Sequence, residues 1–301
     1  MSGISTDLDL RLTRIFFAVV NAGGLSAAQH ALNMRQPTIS SHIADLEMRL
    51  GYRLCERGRK GFRLTPKGER FLHVARRYLN LLGELNIEAR NIDRELVGIL
   101  NLGLIGNAPA AQNALLSRAI SQFRRRDEAV QINVTINSPD LIEDLLENGQ
   151  LHAAIGYFWR RVPVLEYRHL FSERQVAYCG RGHALFADSG TCTIEQLSGQ
   201  SWASRRYPVP TAPQLPPNSR ITASADNMEA NLILVLSGEH LGYLPDHFAE
   251  PYCKAGDLAP LNPDMLSYGV DFHLALRRDY KADPVVSAFI EDLSAQVQRQ
   301  A

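Results

Sequence analysis

The chain has 301 residues, enough for two or three compact domains that each bury a hydrophobic core. Hydrophobic residues make up 45% and charged residues 21% of it, which is a globular composition. The sequence shows no long apolar run and no charged-then-apolar leader, so we expect a non-exported, cytoplasmic protein. The net charge of zero conceals an asymmetry, because residues 1–95 hold 15 Lys and Arg against 10 Asp and Glu, whereas the rest hold 17 against 22.

The first 50 residues carry the pattern of three helices. Apolar residues at helical spacing predict a first helix that stops at residues 21–24, where two glycines can supply a C-cap and a turn. Ser26 is expected to cap a short helix that runs to about Leu32. Gln36 and Pro37 then open a third helix, since proline is tolerated in a first turn. The sequence therefore predicts a helix-turn-helix.

The third helix has a polar N-terminal end and an apolar face that continues along its length. The polar side chains at this end are Gln36, Thr38, Ser40, Ser41 and His42. A recognition helix enters the major groove of DNA by its N-terminus, where hydroxyl and amide groups reach base edges. We expect Gln36 and Thr38 to read bases. Taken alone, these polar residues could equally cap and solvate a helix.

A basic hairpin is predicted directly after this helix. Residues 52–64 read as two short strands around a turn marked by Gly58 and Gly61. The cations at its tip are Arg57, Arg59 and Lys60. Residues 49–77 hold ten basic residues against two acidic ones, the local charge expected of a surface that meets phosphates. A solvated turn is the alternative, but a wing after a helix-turn-helix favours DNA binding.

Three motifs follow one another in register: LSAAQHALNMRQPTIS at residues 25–40, LEMRLG at 46–51 and RLTPKG at 63–68. Their order and spacing resemble the LysR-type transcriptional regulators. The resemblance covers about the first 70 residues and implies a dimer or tetramer that binds double-stranded promoter DNA and contacts RNA polymerase. The residues expected at the DNA are Ser26, Arg35, Gln36, Pro37, Thr38, Ser40, Ser41, His42, Arg57, Arg59 and Lys60.

One position departs from the pattern of the family. Arg35 stands where the family usually has Ser or Thr before the Gln-Pro pair, so the usual hydroxyl cap of the helix is missing. The charge of Arg35 instead suits a direct contact with a DNA phosphate.

A long linker helix is expected from Pro66 to Leu96, opened by Thr65. Its apolar residues step by three and four over more than three heptads, a pattern that favours pairing between helices. They are Phe71, Val74, Tyr78, Leu81, Leu85, Ala89, Ile92 and Leu96. We therefore predict a homo-oligomer through this helix. The alternative is that the stripe packs on the second half of the same chain.

After Leu96 the pattern changes to alternating strands and helices. The predicted strands lie at residues 99–105, 130–136, 151–156, near 176–179, at 202–205, 221–223, 241–244 and 272–276. The predicted helices lie at residues 109–125, 138–148, 226–237 and from 284 onward. This alternation predicts an α/β fold with a largely parallel sheet, in two lobes with crossing strands.

This second half resembles, more loosely, the effector domain of the same family, which has the fold of periplasmic solute-binding proteins. The motifs are GQLHAAIG at residues 149–156, GHAL at 182–185 and SGEHLGYLP at 237–245. The expected fold class is thus α/β, with an N-terminal winged helix-turn-helix, a long linker helix and a two-lobed effector domain. The expected domains are 1–65, 66–96 and 97–301, with lobe I at about 97–174 and 267–301 and lobe II at about 175–266.

A small-molecule effector is expected between the lobes, beyond strand ends and against helix N-termini, where free amides favour anions. The candidate residues are Asn107, Ala108, Asn137, Ser138, Ser204, Arg205, Arg206 and Ala225. The two arginines favour a carboxylate or other anionic effector, which a guanidinium can clamp through two hydrogen bonds. The alternative is that both arginines face solvent or form salt bridges, and that Asn107 and Ser138 only cap helices.

Other classes of protein are disfavoured. The sequence has no nucleophile elbow, phosphate-cradling glycine loop or metal-binding His/Glu helix, so we do not expect an enzyme. A free-standing solute-binding protein would have no use for a basic winged domain. The four cysteines lack metal-ligand spacing, and we expect no metal or other cofactor. Cys179 and Cys192 lie in one lobe and leave open a redox-responsive regulator.

Overall fold

The computed structural model describes residues 9–58, 61–90, 96–126 and 129–299, with side chains except at residues 57, 58, 61, 84, 87, 88 and 90. The chain divides into two compact units, residues 1–92 and 93–301. Within the described ranges, no helix combines the length and the apolar character needed to span a bilayer.

The first unit is a small helical domain with a hairpin. Its elements are α1 (Leu10–Asn21), α2 (Ala28–Leu32), α3 (Gln36–Leu50), β1 (Cys55–Gly58), β2 (Gly61–Leu64) and α4 (Pro66–Arg90). The strands pair antiparallel, as predicted for the wing. The core is formed by the apolar faces of α1 and α3 with the start of α4, where the rings of Phe16 and Phe71 meet edge to face at 5.4 Å.

The prediction that Ser26 caps α2 is wrong. The residue at the N-cap is Ala27, which makes no side-chain hydrogen bond to the helix. Ala27 has helical backbone angles, and the carbonyl of Gly24 accepts from the amide of Ala28 at 3.0 Å. Ser26 therefore lies inside a helical turn, whereas a capping hydroxyl needs an extended backbone.

Helix α4 begins where the sequence indicated. The hydroxyl of Thr65 accepts a hydrogen bond from the amide of Gly68 at 2.9 Å and caps the first turn. The predicted end at Leu96 is wrong, because Leu96 lies outside any helix and packs half-buried against the core of the second unit. Phe71 does not belong to the exposed stripe that was predicted, because it is buried in the core of the first unit.

The second unit combines one mixed sheet, a separate strand pair and flanking helices. Its strands are β3 (Gly98–Leu104), β4 (Val130–Ile136), β5 (Ala153–Tyr157), β6 (Leu165–Gly180), β7 (Ser201–Arg205), β8 (Arg220–Ala225), β9 (Gly242–Pro245), β10 (Leu258–Pro260) and β11 (Ser267–Arg277). Its α-helices are α5 (Ala110–Arg124), α6 (Pro139–Glu147), α7 (Ile194–Leu197), α8 (Met228–Leu236), α9 (Asp246–Ala255) and α10 (Pro284–Gln298).

The long strands β6 and β11 join the two lobes. The main sheet has the order β10-β6-β11-β5-β3-β4, with β9 also paired to β6, and β7 pairs with β8 in a separate parallel ribbon. Strands β3, β4 and β5 are parallel, but β6 and β11 run antiparallel along eleven paired positions. The sheet is therefore mixed, and the prediction of a largely parallel sheet is wrong. The reason is that β6 and β11, the strands that cross between the lobes, run antiparallel to each other.

Candidate functional site

The N-terminal end of α3 presents a polar surface. The side chains of Arg35, Gln36, Pro37, Thr38 and Ser41 are exposed, and those of Ser40 and His42 are half-buried. On the opposite face, the apolar side chains of the same helix, at positions 39, 43 and 46, are at most 1% exposed. The buried face fixes the rotation of the helix about its axis, so the polar side chains at positions 38 and 41 point outward.

A small hydrogen-bond network organises this polar end. The Ser26 hydroxyl donates to Gln36 Oε1 at 3.0 Å, and the Gln36 amide N–H donates to Gln29 Oε1 at 3.0 Å. The Gln29 side chain also donates to the carbonyl of Ser26 at 3.2 Å. Gln29 thus caps α3, a role that Arg35 at the N-cap position does not fill with its own side chain.

Sequence reasoning missed Gln29, although a signal was present. Ser26 and Gln29 have the S-x-x-Q spacing of a capping box, a pattern in which both side chains serve one helix. Here the glutamine turns instead toward the next helix. The spacing indicated a polar junction, but only the tertiary structure shows which backbone amide it caps.

The wing is tied to the end of α3 by a carboxylate. Glu47 Oε1 accepts hydrogen bonds from the amides of Leu54 at 2.7 Å and Cys55 at 3.1 Å, where β1 begins. The predicted cations of the wing lie outside the described part of the structure: the side chain of Arg57, and all of Arg59 and Lys60.

Helix α4 carries an exposed apolar stripe. Val74, Leu81 and Leu85 expose 56%, 56% and 59% of their surface, Ala89 is exposed, and Tyr78 is half-buried. Single exposed apolar residues are common, but a row of them along one helix face marks a surface suited to association.

A cleft of about 610 Å³ lies between the lobes of the second unit. Of the candidate effector residues, Asn107, Asn137 and Ser138 line it. From lobe II, its polar lining consists of Tyr207, Asp226, Asn227 and Glu229. The structure thus brings together the strand ends that the sequence indicated in lobe I, and it sets them against the segment that follows β7 and the start of α8.

The other candidate residues lie elsewhere. Ala108 lines a smaller, mostly apolar cavity in lobe I, and Ser204, Arg205 and Arg206 line a cavity in lobe II. Ala225 is buried and its carbonyl accepts from the amide of Arg206 at 2.9 Å.

The two arginines do not form a clamp in this structure. The guanidinium of Arg205 is half-buried and donates to the side chain of Gln175, which in turn donates to Glu173. Arg206 is exposed. The anion clamp therefore has no support from the geometry.

A buried polar junction connects the lobes at β6. Burial raises the pKa of Glu173 to about 7, an effect opposed by the positive charge of Arg205 and the hydrogen bond from Gln175. His247 Nε2, at the start of α9, lies 3.8 Å from Glu173 Oε2 and 2.9 Å from the carbonyl oxygen of Asn107 in lobe I. A single histidine thus bridges lobe II, the crossing strand and the cleft.

The thiols of the redox alternative are both buried. Desolvation raises the pKa of Cys179 to about 12 and also raises that of Cys192. Because the thiolate is the reactive form, both environments disfavour a redox sensor.

Comparison with known protein families identifies the family of this chain. Residues 10–69 match the model of the bacterial regulatory helix-turn-helix proteins of the lysR family, and residues 94–298 match the LysR substrate binding domain. The chain belongs to the LysR family. It is thus a DNA-binding transcriptional regulator with an effector-binding domain.

Relatives within the LysR family cover nearly the whole chain. The HTH-type transcriptional activator BauR of Pseudomonas aeruginosa is 33% identical over 291 residues, which span 96% of this chain and 95% of BauR. The SDS degradation transcriptional activation protein of a Pseudomonas species is 30% identical over 93% of this chain and 94% of its own length.

Solved LysR structures share the fold. The crystal structure of CbnR, a LysR family transcriptional regulator, aligns with a TM-score of 0.67 at 22% identity, covering 96% of this chain and 99% of CbnR. Full-length CbnR in complex with its target DNA aligns with a TM-score of 0.68 at 21% identity, covering 96% of this chain and all of CbnR.

Proposed function

We propose that this regulator reads promoter DNA with the N-terminal end of α3, and that a small molecule bound between the lobes alters this binding. The proposal rests on the two faces of α3. Its N-terminal end exposes polar side chains, while the apolar face of the same helix is fully buried in the core. Such a helix can enter the major groove without disturbing the core beneath it.

Each side chain at this end has a chemical role in the proposal. The Ser26 hydroxyl holds Gln36 Oε1, which orients the amide group of Gln36 toward a base, and Thr38 offers a hydroxyl and a methyl group beside it. Arg35 binds a phosphate, and the wing cations Arg57, Arg59 and Lys60 follow the DNA backbone. Pro37, Ser40, Ser41 and His42 complete the contact surface.

The proposal is tested by selecting bound sequences from randomised DNA duplexes with the full chain. Thr38→Ala should relax the preference at one base position by about 1–3 kcal/mol, the range for a specific base contact. Met48→Ala is the matched control, since Met48 is 73% exposed at the far end of the same helix. Identical selected sequences for the parent and Thr38→Ala would exclude base reading by α3 at this position.

The exposed stripe of α4 supports a second part of the proposal, a homodimer formed through this helix. Val74, Leu81 and Leu85 would bury their apolar surface against the same stripe of a second copy. The double variant Leu81→Glu with Leu85→Glu should weaken association of the full chain at least tenfold, as measured by sedimentation equilibrium. The reason is that each copy would place two charges in the apolar interface. Asn80→Glu, an exposed residue beside the stripe, is the control. Equal association constants would exclude this interface.

The lining of the cleft favours a neutral or cationic effector. Asp226 and Glu229 contribute carboxylates, and among the lining residues that the structure describes there is no Lys or Arg. Thermal denaturation with matched pairs of small amines and carboxylates tests this assignment, with amines expected to raise the midpoint. Stabilisation by carboxylates alone would contradict it. Contact with RNA polymerase rests on membership of the LysR family.

A further inference from the structure

A small cavity in lobe I lies beside the interlobe cleft. It has a volume of about 140 Å³ and lies between the end of β3, the first turns of α5 and the crossing strands β6 and β11. The cavity and the cleft share four lining residues: Ile105, Gly106, Asn107 and Ile136. Because the two spaces adjoin along this shared edge, one molecule can occupy both.

Apolar side chains form most of the cavity wall. The rings of Phe171 and Phe272 are stacked, with centroids 4.8 Å apart and an angle of 16° between the ring planes. Leu115 and Leu116 of α5 complete this wall. None of the described lining residues is charged, so a charged group that entered the cavity would lose its hydration without gaining an ion pair. The cavity therefore suits an apolar group.

The volume of the cavity sets the size of that group. A dry protein cavity of about 150 Å³ that is lined by Leu, Ile and Phe side chains binds one benzene molecule. The lobe I cavity has nearly this volume, at about 140 Å³, and a similar lining. It therefore fits an apolar group of about the size of one phenyl ring.

The shared edge offers apolar contact between the two spaces. Ile136 is the last residue of β4 and lines both the cleft and the cavity, yet 70% of its surface is exposed. A single exposed apolar side chain is common, but a ligand that passed from the cleft into the cavity would remove this surface from water. The contact would favour a ligand that is apolar at this point.

The charges of the cleft favour a cation at the other end of the ligand. Asp226 and Glu229 are exposed on the lobe II side, and neither forms an ion pair with the described residues. The helix starts at the cleft do not offset these charges. Asn227 Oδ1 already accepts from the amide of Ala230 at 2.8 Å at the start of α8, and Asp140 places a carboxylate in the first turn of α6.

We infer that the effector is a primary amine that carries one apolar group of about the size of a phenyl ring. Its ammonium group lies in the cleft, where three N–H donors can be shared between Asp226 and Glu229. Its apolar group lies in the lobe I cavity, against Phe171 and the leucines of α5. The inference rests on the proposed effector site in the cleft, and it adds the cavity that recognises the apolar group.

Isothermal titration calorimetry of the full chain with matched compounds tests the inference. Phenethylamine carries both parts of the ligand, ethylamine carries only the amine, and toluene carries only the ring. Phenethylamine should bind at least tenfold more tightly than either of the other two, because only it can fill the cavity and pair with the carboxylates. The compound 3-phenylpropionate has the ring with a carboxylate and should also bind at least tenfold more weakly.

The outcomes separate this inference from the proposed site in the cleft. Equal affinity for phenethylamine and ethylamine would overturn the inference and leave the preference of the cleft for an amine intact. Equal affinity for phenethylamine and either toluene or 3-phenylpropionate would overturn the role of the ammonium group. If neither amine bound, the inference and the preference of the cleft for an amine would both be wrong.

Ala108→Leu provides a second test, because Ala108 lines the cavity and not the cleft. The larger side chain would take up part of the cavity, so phenethylamine should bind at least tenfold more weakly, whereas ethylamine should bind as it does to the parent. Ala114→Leu, the same change at an exposed position of α5 outside the lining, is the control and should leave both affinities unchanged. Equal phenethylamine affinity in the parent and Ala108→Leu would overturn the role of the cavity.

Discussion

The two units place their polar side chains in opposite ways. In the first unit, the polar residues proposed to bind DNA are exposed on helix α3, and the core beneath them is apolar. In the second unit, Glu173 and Gln175 are buried on the strand that joins the lobes, and Asn231 is buried under the lobe II cavity. In the first unit, the residues that form the core are therefore distinct from those proposed to bind DNA, whereas the second unit buries polar groups within its fold.

This difference determines what a mutation does. A change at an exposed polar residue of the first unit should alter DNA binding and leave stability nearly constant. A change at a buried polar residue of the second unit should alter both stability and the relative free energies of its lobe arrangements, because such groups are costly when unpaired. The following predictions test the two sides of this comparison.

Gly68→Ala should have the largest effect on the free energy of unfolding. It tests the residues on which folding of the first unit depends. An added Cβ would lie 1.9 Å from the carbonyl oxygen of Leu54, so α4 would have to move away from the wing. We expect a loss of about 3 kcal/mol in the free energy of unfolding, measured by urea denaturation, since overpacking costs this much.

Gly83→Ala is the matched control on the same helix, because nothing lies within 4 Å of its added Cβ. It should be neutral or should stabilise the helix by up to about 1 kcal/mol, the difference in helix propensity between the two residues. If both variants gave the same free energy of unfolding, close approach at Gly68 would not constrain the first unit.

Glu173→Gln tests the buried side of the comparison through pH. Because burial raises the pKa of Glu173 from 4.5 to about 7, the folded protein binds its proton more tightly than the unfolded chain does. This contribution to stability is fully present below the unfolded pKa and is lost as the pH rises toward 7 and beyond. Between pH 5 and pH 7 we expect the parent to lose about 2 kcal/mol from this group.

The glutamine variant should lack that pH dependence, so it should gain stability over the parent as the pH rises, as measured by denaturation at both pH values. Arg205, Asp246 and His247 face the same carboxylate and remain in both proteins. Glu166→Gln, a half-exposed carboxylate on the same strand, should retain the pH dependence of the parent. An unchanged pH profile in Glu173→Gln would show that this carboxyl is not the titrating group.

The sequence was most informative where structure is determined locally. Pro37 in the first turn of α3 and the cap at Thr65 each act within a few residues, and the helices and hairpin of the first unit were predicted from such signals. Resemblance to a family added the link between these elements and DNA.

The second unit was harder to predict because burial there depends on distant partners. The polar residues at 172–175 resemble a loop, yet they continue strand β6, since Glu173 and Gln175 are buried by groups from lobe II. Helix α9 was missed as well, and with it His247, which bridges the lobes. Asn107, Asn137 and Ser138 were found because parallel strands end at one edge of a sheet. In lobe II the expected segment was right, but the residue that lines the cleft is Tyr207 rather than Arg205 or Arg206.

Arg35→Ser should have the smallest effect on stability and a selective effect on DNA binding. Arg35 is exposed in extended backbone, with φ −75° and ψ 146°, and makes no side-chain hydrogen bond to α3, so a serine there gains a capping geometry. The free energy of unfolding should stay constant or rise slightly, while DNA affinity falls by about 1 kcal/mol for every sequence and the salt dependence flattens by about one unit. Arg35→Lys keeps the charge and should keep the salt dependence. If Arg35→Ser instead lost preference at one base position with the salt dependence intact, the arginine would read a base, and recognition by the first unit would extend one residue beyond the start of α3.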